Sequence, residues 1–117
     1  MTDYEIRNEI LNEKEALERF GGDKELYTEL LQMFITEPQF SLQSVKDLLA
    51  ADKIQESASE IHRLKGTAGT IGAEKLYAAC TSLEAVLRGK KEGNVESLLN
   101  SIEKYYEEVN NVIKVKF

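Results

Sequence analysis

The sequence predicts an all-α protein: an antiparallel four-helix bundle with a short additional N-terminal helix. Three observations point there. Proline occurs once in 117 residues, at Pro38, so almost nothing forbids helix along the chain. The seven glycines, at 21, 22, 66, 69, 72, 89 and 93, cut it into segments whose apolar residues recur at helical spacing. No segment alternates apolar and polar residues as a half-buried strand does.

The leading segment, about Asn8 to Phe20, puts Ile10, Leu11, Leu17 and Phe20 on one side and stops at Gly21-Gly22. Asp23 then offers an N-cap for a long run with Leu26, Leu30, Phe34, Leu42, Val45 and Leu49 in phase. Pro38 removes a backbone donor inside that run, so a kink or a break is expected there. Asp52 is expected to cap the next helix, with Gln55 completing a capping-box pattern. Its stripe is Ile54, Ala58, Ile61, Leu64, Ala68 and Ile71, and Gly72 ends it. The following stripe reads Leu76, Ala79 or Cys80, Leu83 and Leu87, closing at Gly89. The last helix begins near the cap Asn94 and shows Val95, Leu98, Ile102, Tyr105 or Tyr106, Val109 and Val112. Short connections between long helices imply antiparallel neighbours in one bundle.

Composition narrows the function classes. A chain of 117 residues, 42% apolar and 31% charged, suits one globular domain, and residues 1–117 are expected to form a single unit. The net charge of −6 repels phosphate backbones, so no nucleic-acid partner is expected. One Cys and one His leave neither a disulfide nor the donors of a zinc site, and no metal or cofactor is expected. No apolar run approaches the ~20 residues of a membrane span and no signal peptide is evident. A monomeric, cytoplasmic domain without membrane attachment follows as the default expectation. Cys80 falls on a buried stripe, where a lone cysteine acts as a small core hydrophobe. Tyr105 and Tyr106 suit packing and the rim of the bundle.

The segment from Ile61 to Gly72 departs from this pattern. Gly66 and Gly69 each cost about 1 kcal/mol against Ala in a helix interior. Both lie on the side of His62, whose helical neighbours are Ala58, Ser59, Lys65, Gly66 and Gly69. Apart from the lysine, everything beside the ring is small, which leaves room for something bulky to approach the imidazole. Ile61 and Leu64 carry the buried stripe, so His62 falls at its exposed edge. Lys65, a cation one turn on, suits an imidazole that acquires phosphate oxygens. A Walker-type loop is excluded because Lys65 precedes the glycines, the dinucleotide fingerprint is absent, and nothing marks an activated serine.

The string His62-x-x-Lys65-Gly66 followed by Gly72 resembles the signature of the histidine-containing phosphotransfer (HPt) domains of multistep His-Asp phosphorelays. Similar domains form the N-terminal module of chemotaxis histidine kinases. The resemblance covers roughly Ala16 to the end of the last helix, including the lead-in Leu17 to Asp23, Phe34 and Leu83-Glu84. It implies an antiparallel four-helix bundle with an exposed histidine. His62 then corresponds to the phosphoacceptor, modified on Nε2, and Lys65 to the cation that neutralises phosphoryl oxygens. Gly66 corresponds to the position whose missing side chain admits the partner. Glu84, twenty-two residues after the histidine, falls where relatives carry Gln or Glu; there it accepts a hydrogen bond from Nδ1 and fixes the tautomer. Considered alone, Glu84 reads as a solvated helix residue. Position 63, often apolar in relatives, is Arg63.

The resemblance implies a phosphorelay carrier rather than an enzyme, without an ATP site, exchanging phosphate with receiver domains, a sensor kinase, or both. The divalent metal would belong to the receiver. Two other functions stay open: the phosphoacceptor module of a chemotaxis-type kinase, towards which Glu84 leans, and a non-catalytic helical adaptor with an incidental histidine. The lead-in Phe20 to Asp23 leans away from the kinase module.

Overall fold

The computed structural model describes Thr2, Glu5 and residues 9–117. The described elements are α1 (Glu13–Arg19), α2 (Lys24–Thr36), α3 (Leu42–Ala50), α4 (Ile54–Ile71), α5 (Glu74–Leu87) and α6 (Val95–Lys116), with no strand among the described residues. The chain is all-α, as its periodicity predicts.

The expected leading helix is interrupted. Residues 9 and 10 are helical, but the chain breaks at Leu11 and Asn12, and Asn12 caps α1 by accepting from the Glu15 amide at 3.3 Å. Asn8, the expected start, lies outside the described residues. At the same point the Asn12 amide donates to the Gly72 carbonyl at 2.8 Å, which ties this break to the end of α4.

Asp23 caps α2, accepting from the Leu26 amide at 3.0 Å. The buried ridge of α2 is Tyr27, Leu31 and Phe34, one step from the expected Leu26 and Leu30; Leu26 stays 42% exposed. Tyr27 explains the choice. Its ring is fully buried and its hydroxyl donates to the Ile71 carbonyl at 2.7 Å, satisfying an acceptor that the C-terminus of α4 leaves without a helical partner. Pro38 produces a full break, and Ser41 starts α3 by accepting from the Ser44 amide at 3.2 Å.

Asp52 does not cap α4. It adopts φ +59, and the Asp52 and Lys53 amides donate back to the Leu49 and Leu48 carbonyls, a Schellman closure of α3. The left-handed conformation tolerates a short polar residue better than most others. Helix α4 therefore begins after Lys53 without a side-chain cap. Gln55 turns away from a capping box to donate to the Leu87 carbonyl at 3.2 Å.

Pairings between α4 and α5 run in opposite order along the two helices: Gln55 with Leu87, His62 with Glu84, and Gly69 with Tyr77. The two are therefore an antiparallel hairpin, turned through Gly72 and Ala73. Helix α6 covers α5 and packs antiparallel to α2, with Tyr27 against Phe117 and Phe34 against Tyr106. Helix α3 packs on α4. The core draws on every described helix, and Ile61, Leu76, Leu83, Ile102 and Ile113 are among its fully buried members. In α6 the buried ridge runs through Leu99 and Ile113, while Val95 and Leu98 are half-buried. Cys80 is buried, and burial pushes its thiol up to about 12 despite nearby Lys65. Tyr105 and Tyr106 are half-buried, and the Tyr106 ring packs at a tilt against Phe34 and Phe40. No helix among the described residues is long and apolar enough to cross a membrane.

Candidate functional site

The spacing of α4 aims Ile61 and Leu64 into the core and turns His62 outward. Its side chain is 61% exposed. The antiparallel run of α5 brings Glu84 alongside, on the border of the interface, where the residue is 9% exposed. His62 Nδ1 lies 3.0 Å from Glu84 Oε2 and 3.2 Å from Oε1.

Three groups converge on this carboxylate. Lys65 Nζ is 2.7 Å from Oε1, and Arg88 Nε is 3.0 Å from Oε2, in addition to the imidazole. Burial pushes the Glu84 carboxyl up, but hydrogen bonds from Lys65, Arg88 and His62, with the charge of Lys65, outweigh it and hold the group at about 2. Glu84 is thus ionised at neutral pH. A carboxylate has no proton to give, so the hydrogen between it and the ring belongs to Nδ1. In the neutral ring the lone pair then sits on Nε2, the nitrogen not engaged by Glu84.

The charges sum in favour of an anion. Lys65 and Arg88 contribute two positive charges and Glu84 one negative, leaving the cluster at +1 on a chain of net charge −6. Such a set does not suit a metal cation; it suits phosphate-like oxygens placed beside Nε2.

The two glycines of this face differ. A Cβ at Gly66 would meet no atom within 4 Å, so the surface one turn from His62 is open. A Cβ at Gly69 would stand 3.2 Å from the Tyr77 ring, so that residue is small in order to seat Tyr77 of α5, not to leave space beside the imidazole. Arg19 of α1 also donates to the Gly69 carbonyl at 2.7 Å. Arg63 is paired with Glu60 on its own helix. Beyond Arg63 and Thr67, a pocket of about 220 Å³ opens against Met33, Pro38 and Phe40, at the break between α2 and α3.

Of the residues singled out in the sequence, the structure brings His62, Lys65 and Glu84 together and sets Gly66 on the adjoining open surface. Lys65 is not free: its ammonium is held on Glu84. Arg88 escaped the sequence analysis, and Gln55, expected in a capping box, instead serves Arg88. Arg88 donates to Gln55 Oε1 at 3.1 Å and caps the end of α5. The Glu84–Arg88 spacing, one helical turn apart, is the signal that could have found it.

Residues 29–112 match the family described as Hpt domain. The matched stretch contains His62, Lys65, Gly66, Glu84 and Arg88 and starts after the lead-in Leu17 to Asp23. No curated protein and no solved structure matches the chain.

Proposed function

The chain belongs to the Hpt domain family, whose members carry phosphoryl groups in two-component phosphorelays, and we propose that His62 is the residue that carries the group here. The observation that supports this most is the bond between the exposed imidazole and the ionised Glu84, which leaves the Nε2 lone pair as the nucleophile. Nε2 attacks the phosphorus of an aspartyl phosphate on a receiver domain. The N–P bond forms as the O–P bond breaks, and that bond's electron pair stays on the aspartate carboxylate. No proton leaves the ring, because Nδ1 keeps its hydrogen. The positive charge that develops on the imidazole faces Glu84. A second receiver reverses the step. Phosphoryl transfer of this kind depends mainly on positioning and charge neutralisation.

In this reading Lys65 exchanges Glu84 for a phosphoryl oxygen, and the open surface at Gly66 admits the receiver. Residues 1–117 work as one monomeric carrier in the cytoplasm, with no ATP site of their own. A second reading, favoured by Glu rather than Gln at position 84, makes the chain a phosphoacceptor module of a chemotaxis-type kinase, charged from ATP by that kinase.

Incubation with a phosphorylated receiver panel, in parallel with a kinase core plus ATP, separates the two. An acid-labile, base-stable phosphate is expected on the wild-type protein and none on His62→Gln, which retains helical content and loses under about 0.5 kcal/mol of stability because the ring lies off the core. No phosphate under any donor would leave only a helical adaptor.

A further inference from the structure

We infer that Arg88 is a positioning residue for the phosphoacceptor: it holds the Glu84 carboxylate, and through it the Nδ1–H form of His62, when Lys65 moves to a phosphoryl oxygen. The inference rests on the proposal that His62 accepts the phosphoryl group. Its basis is how the two carboxylate oxygens are divided. Lys65 takes Oε1 at 2.7 Å, whereas Arg88 shares Oε2 with the shorter imidazole contact, each at 3.0 Å. When Lys65 leaves, the oxygen that faces Nδ1 keeps its cation.

Arg88 is itself fixed. It sits one turn beyond Glu84 on the same helix, its backbone N–H donating to the Glu84 carbonyl at 2.9 Å. Its guanidinium donates sideways to Gln55 Oε1, and Gln55 in turn donates to the Leu87 carbonyl, so the fork is anchored to α4 as well as α5. A planar guanidinium satisfies both directions at once, which an ammonium on a flexible stem does not. Without either cation only the imidazole hydrogen bond would offset the desolvation of the buried carboxyl, which would take up a proton more readily. A protonated Glu84 can donate as well as accept, and the ring would no longer be held to one tautomer.

His62 is the only histidine, so the imidazole ¹⁵N spectrum of the full chain, recorded where the ring is neutral, reports its tautomer unambiguously. The expected result is the Nδ1–H form in wild type and in Lys65→Ala, and its loss in the Lys65→Ala/Arg88→Ala double variant. Arg88→Lys in the Lys65→Ala background restores it in part. A folded double variant that keeps the wild-type tautomer overturns the inference. Should the double variant fail to fold, Arg88→Gln in the Lys65→Ala background, which keeps a donor but not the charge, decides the matter. Its tautomer is expected to be weakened and its acceptance rate from a phosphorylated receiver to fall on the order of tenfold below that of Lys65→Ala. A wild-type spectrum with the Lys65→Ala rate overturns the inference. If the wild-type protein accepts no phosphate, the phosphocarrier proposal fails, while the spectra still decide whether Arg88 sets the tautomer.

Discussion

Nδ1 of His62 and Oε2 of Glu84 stand 3.0 Å apart across the α4–α5 interface. The pair joins an exposed group to a buried one: the imidazole is 61% exposed and the carboxylate side chain 12%. That asymmetry suits a nucleophile that must meet a partner while its orientation is controlled from beneath.

Gly66→Gln is expected to block phosphotransfer while the bundle stays folded. Gln is the better helix former by several tenths of a kcal/mol, and its Cβ meets nothing within 4 Å, so stability should hold or rise. Transfer at the wild-type rate in this variant would show that the open surface has no docking role.

Lys65→Ala is expected to slow phosphoryl acceptance about ten- to a hundred-fold without abolishing it, the range of a charge-assisted hydrogen bond of about 1.5–3 kcal/mol. Lys65→Arg keeps the charge but widens the head beside Gly66. Substantial recovery by Arg would mean charge alone matters; no recovery would mean geometry does. A change under about twofold in both variants contradicts any service of Lys65 to the phosphoryl group.

Acid should weaken the fold through Glu84 within a defined window. In the unfolded chain the carboxyl takes up its proton near 4.5, in the folded chain only near 2. Its contribution is therefore complete above about pH 4.5 and lost as pH falls towards 2, on the order of 3 kcal/mol in all. Urea unfolding between pH 5 and 2 should show a shallower decline in Glu84→Gln, the two stabilities converging at the acid end. Parallel curves would show that the carboxylate network does not stabilise the fold.

Asp52→Gly distinguishes a left-handed helix end from an N-cap. At φ +59 glycine relieves the conformational cost, and stability should rise by about 0.5–1 kcal/mol. A cap replaced by Gly would instead lose a few tenths. The denaturation midpoint reads the sign.

Segmentation into helices is legible because glycine and proline act locally, and the stripes of α4 and α5 agree with their buried faces. The ridge of α2 is less legible: Leu26 and Leu30 alternate with Tyr27 and Leu31 one step apart, and only the Ile71 carbonyl, distant in sequence, favours Tyr27. Asp52 misleads because aspartate serves both N-caps and left-handed turns, and its choice depends on how α3 ends. At the site, exposure of His62 follows from its phase on α4. The burial of Glu84 does not follow from local pattern, since the ammonium and imidazole that offset its desolvation come from another helix.

Gln55, His62, Lys65, Glu84 and Arg88 all belong to α4, α5 and the residue that ends α5, joined through Gly72 and Ala73. Contacts within one hairpin close a shorter loop than pairings between the first and last helices, and so require less loop-closure entropy. The hairpin is therefore a self-registering unit: closing its turn sets the relative positions of all five side chains at once. Sequence drift in α2, α3 or α6 would change how firmly that unit is held without re-aiming the imidazole. Insertions at the α4–α5 turn, by contrast, would slide the two helices past one another and separate the ring from its carboxylate.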